Sequence, residues 1–155
     1  MDAMKNGYMS LAVQTILSGI VMYFVMFVMF VMIDSTTSFY NNLNMFYMTL
    51  MMVAPMVVLM ILAMLHMFPS KPANVLLIAI SLVAFFGGFA LIRTQTAIGN
   101  TAFVRSMIPH HSGAILMCQR ASLSDAELKT LCGDIIKGQQ QEIEQMKQIL
   151  ARLTK

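Results

Sequence analysis

The sequence predicts an all-α protein in which three transmembrane helices precede an extramembrane antiparallel helical hairpin. Three observations carry that prediction. Of 155 residues, 58% are hydrophobic and 11% charged, and the mean hydropathy of +0.73 is too high for a soluble domain. Charge is also segregated, since only Asp34 and Lys71 are charged between Lys5 and Arg93. From residue 99 onward the chain turns amphipathic, with apolar residues at alternating spacings of three and four. The expected division is a membrane domain over 1–98 and a hairpin domain over 99–155.

The first apolar stretch runs from about Tyr8 to Ile33, the second from about Asn44 to Phe68 and the third from about Ala73 to Ile92. Each is long enough for the roughly 20 helical residues of a bilayer crossing. The first is too long for a signal-peptide core and has no small-x-small cleavage site after it, so it reads as an uncleaved anchor. Lys5 precedes the first span and Lys71 sits in the turn between the second and third, whereas the loop from Asp34 to Asn42 holds no Lys or Arg. The positive-inside rule then places the N-terminus and the second loop in the cytoplasm. The first loop and the hairpin face the periplasm of a bacterial inner membrane. Arg93 opposes this orientation weakly.

Eighteen methionines need an explanation. Met22, Met26, Met29 and Met32 recur at helical spacing in the first span. In the second, Met48, Met52, Met56, Met60 and Met64 repeat every four residues, with Met45, Met51 and Met67 beside them. Residues four apart stack on one helix face. Such a stripe is either adaptable filler for helix packing or a thioether surface for a soft cation. Pro55 interrupts the hydrogen bonding of the second span and should kink it. His66 reads as an interfacial residue. In the third span Ser81, Ala84 and Gly88 share one face, which suits close helix packing within one subunit or between subunits.

The hairpin begins at the Gly99-Asn100 break, with Asn100 as the expected cap. Its first helix runs to about Arg120, and Ala121 to Ser124 form the turn. Ser124-Asp-Ala-Glu127 has the form of a capping box for the second helix. The seam expected along that helix is Leu128, Cys132, Ile135, Gln139, Glu142, Met146, Ile149 and Leu153. Gln139 and Glu142 then fall where aliphatic side chains are wanted, and a buried carboxylate is costly unless paired or coordinated.

The first hairpin helix has a matching irregularity. Met107, His111, Ala114 and Cys118 share one face, flanked by His110 and Met117. Folding a symmetric hairpin about residues 122–123 sets Met107 level with Gly138 and Gln139, and the two histidines level with Asp134 and Ile135. Gly113 and Gly138 would let the backbones approach. Pro109 frees the Arg105 carbonyl just before the histidines and should aim both rings at one point. The alternative is that His110 and His111 form a solvated polar step. Thioether and imidazole donors together suit Cu(I) or Ag(I), whereas structural zinc prefers a closed Cys/His set. Cys118 and Cys132 differ in height in a symmetric hairpin, so core thiols are favoured over a disulfide or over ligation.

The order Phe103-x-x-x-Met107-Ile-Pro-His110-His111-x-Gly-Ala-Ile-x-Met117, then Asp125-x-Glu-Leu, then Ile135-Ile-x-x-Gln139-x-x-Glu142-Ile-x-x-Met146, resembles the family called domain of unknown function 305. The likeness covers residues 100 to 153. The stretch Tyr47-Met-x-Leu-Met-Met-x-Ala-Pro-Met56 is similar to its three-span branch. The resemblance implies that the hairpin is half of a ferritin-like four-helix bundle. It also implies that Met107, His110, His111, Met117, Glu142 and Met146 are copper- or silver-binding positions. Many members carry two hairpins in one chain, so a single hairpin implies a homodimer or a higher homo-oligomer.

The function expected is a membrane-anchored metal-binding protein that buffers or hands over Cu(I) at the periplasmic face. Its partners are the lipid bilayer, further copies of itself and the metal ion. A non-catalytic membrane assembly factor, or an oligomer conducting copper between methionine-lined spans, is the alternative. There is no nucleophile–base pair, phosphate loop or catalytic carboxylate pair, so enzyme chemistry is not expected. The formal charge of +3 comes without a basic run, which gives nucleic acid no footprint.

Overall fold

A computed structural model describes residues 2–29 and 33–155, with side chains described from 7 to 23 and from 33 onward. Among these residues every regular element is helical. Helix α1 spans Asp2–Met29, α2 Leu43–Ala63, α3 Lys71–Thr94, α4 Asn100–Arg120 and α5 Ala126–Leu153. Short 3₁₀ turns at Thr36–Ser38 and Leu65–Met67 fill the first two connections. The chain divides into two compact units. One contains Met1–Met26 with Asn44–Thr96, and the other Phe27–Leu43 with Ala97–Lys155. The loop after α1 is thus grouped with the hairpin.

Among the described residues of the first unit, α2 and α3 are the two helices long and apolar enough to cross a membrane. The apolar described part of α1, Gly7–Tyr23, is shorter. The rest of the expected first span, from Phe24 to Met32, lies outside the described side chains, and with it Met26, Met29 and Met32. Helix α2 continues through Pro55, and α3 starts with Pro72 in its first turn, where a missing amide hydrogen costs nothing.

The unit is held by a small apolar cluster of Leu11, Val57, Ile61 and Phe68. A polar knot lies beside it: the Tyr8 hydroxyl donates to Asn74 Oδ1 at 2.8 Å, and the Asn74 amide donates to the Phe68 carbonyl at 2.7 Å. Buried polar groups of this kind need protein partners, and here they have them. Gly88 resolves the open choice for the small face of α3. A Cβ there would meet Met51 Cγ at 2.9 Å and the Tyr47 carbonyl at 3.2 Å, so this face packs on α2 of the same chain.

The methionine stripe of α2 divides. Met60 and Met64 pack against the apolar cluster, and Met51 against Gly88, whereas Met48 and Met52 are exposed. Five residues at four-residue spacing drift round a helix of 3.6 residues per turn, so one stripe meets two environments.

The second unit is built on the α4–α5 hairpin. Its core is Val104, Ile108 and Ile115 from α4 with Ile143 and Leu150 from α5, and Tyr40, Ile136, Met146 and Ile149 pack around it. The seam of α5 therefore runs Cys132, Ile136, Gln139, Ile143, Met146 and Leu150, one residue later than expected at three of these positions and as expected at Cys132, Gln139 and Met146. Glu142 stands beside this seam, exposed, and is not a buried carboxylate.

Two local features differ from expectation in ways that compound. The cap of α5 is Asp125, whose carboxylate accepts from the Leu128 amide at 2.9 Å, so the helix begins one residue after the Ser124 box predicts. Ala121 and Asp125 have extended backbone, which lengthens the turn and slides α5 along α4. With that slide Cys118 and Cys132 come level, their Cα atoms 5.3 Å apart, and they form a disulfide. At the other end of the hairpin Gly99, and not Asn100, is the cap of α4.

Candidate metal centre

The slide of α5 also decides which groups meet around the histidines. His111 lies opposite Glu142, about two turns further along α5 than the Asp134–Ile135 level expected from a symmetric hairpin. Nε2 of His111 is 2.8 Å from Oε2 of Glu142, and the two side chains are 12% and 55% exposed. On the other side of the ring, Nδ1 lies 2.9 Å from the Met107 carbonyl oxygen. A carbonyl only accepts, so Nδ1 carries a hydrogen and donates. In the neutral ring Nε2 is then a bare lone pair facing a carboxylate. At 2.8 Å the two atoms are at hydrogen-bond distance, so a proton lies between them, and a cation could only sit beside both. The same arrangement, with the distal nitrogen tied to a backbone carbonyl, orients metal-bound histidines.

The residues around this pair divide clearly. His110 is exposed, and its ring stands 6.0 Å from that of His111 at 64°. Met107 is half-buried one turn back and supplies its carbonyl to the ring. Met146, one turn beyond Glu142, packs against the hairpin core. Met117 is exposed and lies nearly two turns from His111. Of the six residues expected to bind metal, His111 and Glu142 meet at hydrogen-bond distance, and the rings of His110 and His111 stand edge to face. Among the described residues no three His, Cys, Asp or Glu side chains converge. The disulfide removes both cysteines from the donor set.

What sequence reasoning missed is the part played by the first loop. Ser112, fully buried next to His111, donates its hydroxyl to the Asp34 carboxylate and accepts from the Asp34 amide at 2.8 Å. Further along, Lys147 Nζ donates to the Thr37 hydroxyl at 3.2 Å, and Tyr40 packs on the hairpin core. This strap fixes α4 at the residue following the histidine pair. The one available signal was Asp34 itself, a lone carboxylate between two apolar stretches.

A protein described as "Uncharacterized protein L153", from Acanthamoeba polyphaga mimivirus, is 39% identical over 87 residues, which make up 55% of this chain and 55% of that protein. The chain thus matches about half the length of that curated relative. No solved structure matches the chain. Residues 90–154, the end of α3 with helices α4 and α5, match the family model described as Domain of unknown function (DUF305).

Proposed function

We propose that the protein is a membrane-anchored metal-binding protein that buffers or hands over Cu(I) or Ag(I) at the periplasmic face of a bacterial inner membrane. Helices α1, α2 and α3 are its three spans, and oligomers complete the hairpin into a ferritin-like four-helix bundle. The observation that carries this reading is the His111 ring, whose Nδ1–H is committed to the Met107 carbonyl and whose Nε2 faces Glu142. An imidazole held at Nδ1 in this way keeps its ring orientation when a cation takes Nε2 in place of the proton shared with Glu142. The thioethers of Met107 and Met146 stand one turn from the pair and favour a soft ion over a hard one.

The orientation draws support from two directions. The first loop and the hairpin share one compact unit, and the two helices between them, α2 and α3, return the chain to the side it left. The Cys118–Cys132 disulfide suits an oxidising compartment and not the cytoplasm. Lys5 and Lys71 then lie on the cytoplasmic side.

A second reading, a non-catalytic assembly factor, is favoured by one observation: at 2.8 Å the His111–Glu142 contact is complete as a hydrogen bond with no metal at all. Titration of the full chain in nanodiscs with Cu(I), against a chromogenic chelator, separates the two. Wild type should compete for Cu(I), His111→Ala should lose at least roughly tenfold in affinity, and His66→Ala should change nothing. No competition by wild type, or equal affinity for His111→Ala, rejects the metal reading.

A further inference from the structure

Charge is distributed unevenly along the hairpin. The cross-helix contacts of Cys118 with Cys132 and of His111 with Glu142 fix the height of α5 against α4. Continuing in the same register sets the last turn of α5, which ends at Leu153, level with the first turn of α4, which starts at Asn100. At the closed end of the hairpin, Arg120 and Lys129 stand among Asp125, Glu127 and Asp134. The open end carries Arg105, Arg152 and Lys155, all exposed. No acidic residue follows Glu144 on α5, and α4 has none along its whole length. Among the described residues none of these three cations has a carboxylate partner, since the ion pair of the hairpin is His111 with Glu142.

We infer that this open end is a docking surface for the anionic headgroups of the bilayer into which the preceding helices insert. Two observations select that occupant. The first is sign: an unpaired, wholly basic end complements lipid phosphates, and each cation beside an anionic membrane surface strengthens binding about fivefold. The second is reach. The Thr96 carbonyl still accepts from the Tyr47 hydroxyl on α2 at 2.9 Å. The backbone steps from Thr96 to Asn100 then span at most about 14 Å. This tether keeps the start of α4 close to the apolar helices, whereas the closed end lies roughly 30 Å further along α4.

Phe103 and Leu153 agree independently. Both are exposed, 49% and 38%, at the same end as the cations. Basic residues with Phe and Leu among them suit the boundary between headgroups and acyl chains, where apolar side chains enter and cations meet phosphate. Long Arg and Lys stems let the three cations reach a common plane from different sides of the hairpin. Helix chemistry alone does not account for the pattern. Arg152, in the last turn of α5, complements that helix's dipole, but the first turn of α4 would favour an acid and has none. The docking surface presupposes the membrane anchor proposed above, but no bound metal.

The test is hydrogen exchange of the full chain in nanodiscs of phosphatidylcholine alone or of phosphatidylcholine mixed with phosphatidylglycerol. The anionic lipid should slow exchange at residues 100–106 and 146–155 at least about threefold, and raised salt should reverse the slowing. Arg105→Gln, Arg152→Gln and Lys155→Gln together should abolish it, while Arg120→Gln with Lys129→Gln should leave it intact. Exchange around Ile108 and Ile115 should stay the same in both variants, showing that the hairpin is still folded. Equal exchange in the two lipids, slowing that survives the triple variant, or slowing reproduced by inorganic phosphate alone overturns the docking surface. Slowing that follows the number of chains per disc and not the lipid assigns the open end to another copy and also overturns it. A chain that never enters nanodiscs removes the membrane anchor itself, whereas one that enters and ignores the anionic lipid loses only this surface.

Discussion

Val83 on α3 and Leu131 on α5 are both large apolar side chains at the surface, 73% and 51% exposed, yet the two exposures have different origins. On α3 the exposed apolar residues include Val75, Leu76, Ile80, Leu82, Val83 and Phe86, which spread over about half the circumference at 100° per residue. A face that wide suits the bilayer proposed above, since hydrocarbon covers a helix from any direction. On the hairpin the exposed apolar residues form a narrower face, and the opposite half carries Lys137, Glu144 and Lys147 beside the strap. The width of the apolar face, more than the amount of apolar surface, distinguishes the two regions.

Core truncation gives the sharpest contrast between the two regions. Ile115 is fully buried in the hairpin, so Ile115→Ala should cost about 2–5 kcal/mol in chemical unfolding followed by circular dichroism. Val83→Ala on the outer surface of α3 should change the same measurement in detergent by less than about 0.5 kcal/mol. Equal losses would mean that α3 is packed against protein and that the comparison fails.

Next in size is the covalent link. Reducing Cys118–Cys132, or replacing both residues with Ser, should lower hairpin stability by about 3 kcal/mol, the loop-closure value for about 15 residues. The α2–α3 helical signal should be untouched, because neither cysteine belongs to that unit.

The smallest of the three effects concerns the strap. Asp34→Ala leaves the buried Ser112 hydroxyl without its carboxylate and should cost about 1–3 kcal/mol. Hydrogen exchange should rise in residues 33–40 and around Ser112 while α5 stays protected. Unchanged exchange in the strap would show that Tyr40 and Lys147 hold it without Asp34.

Much of this architecture is legible in the residues, and the failures have identifiable causes. Apolar length and charge segregation suffice for α2 and α3, and α4 falls within its expected limits. The α5 seam is ambiguous because Ile135-Ile136 and Ile149-Leu150 are apolar doublets, and either member satisfies the three-four spacing. Burial selects the second member of the Ile135-Ile136 level through Ile143, and this moves Glu142 from core to rim. The height of α5 depends on the extended turn and the Asp125 cap, which spacing does not reveal. Both the disulfide and the His111–Glu142 contact follow from that one slide. The residue types of the candidate site were therefore readable, but their pairing was not.

The bond between Asp34 and Ser112 joins residues 78 positions apart, with α2 and α3 between them. At roughly 5–20 residues per second, the strap is made several seconds before its partner exists. In the membrane reading proposed above, failure of either intervening helix to insert would strand the aspartate and the serine on opposite sides of the bilayer. The contact would then close only on a correctly threaded chain, a checksum on topology as well as a brace for the fold.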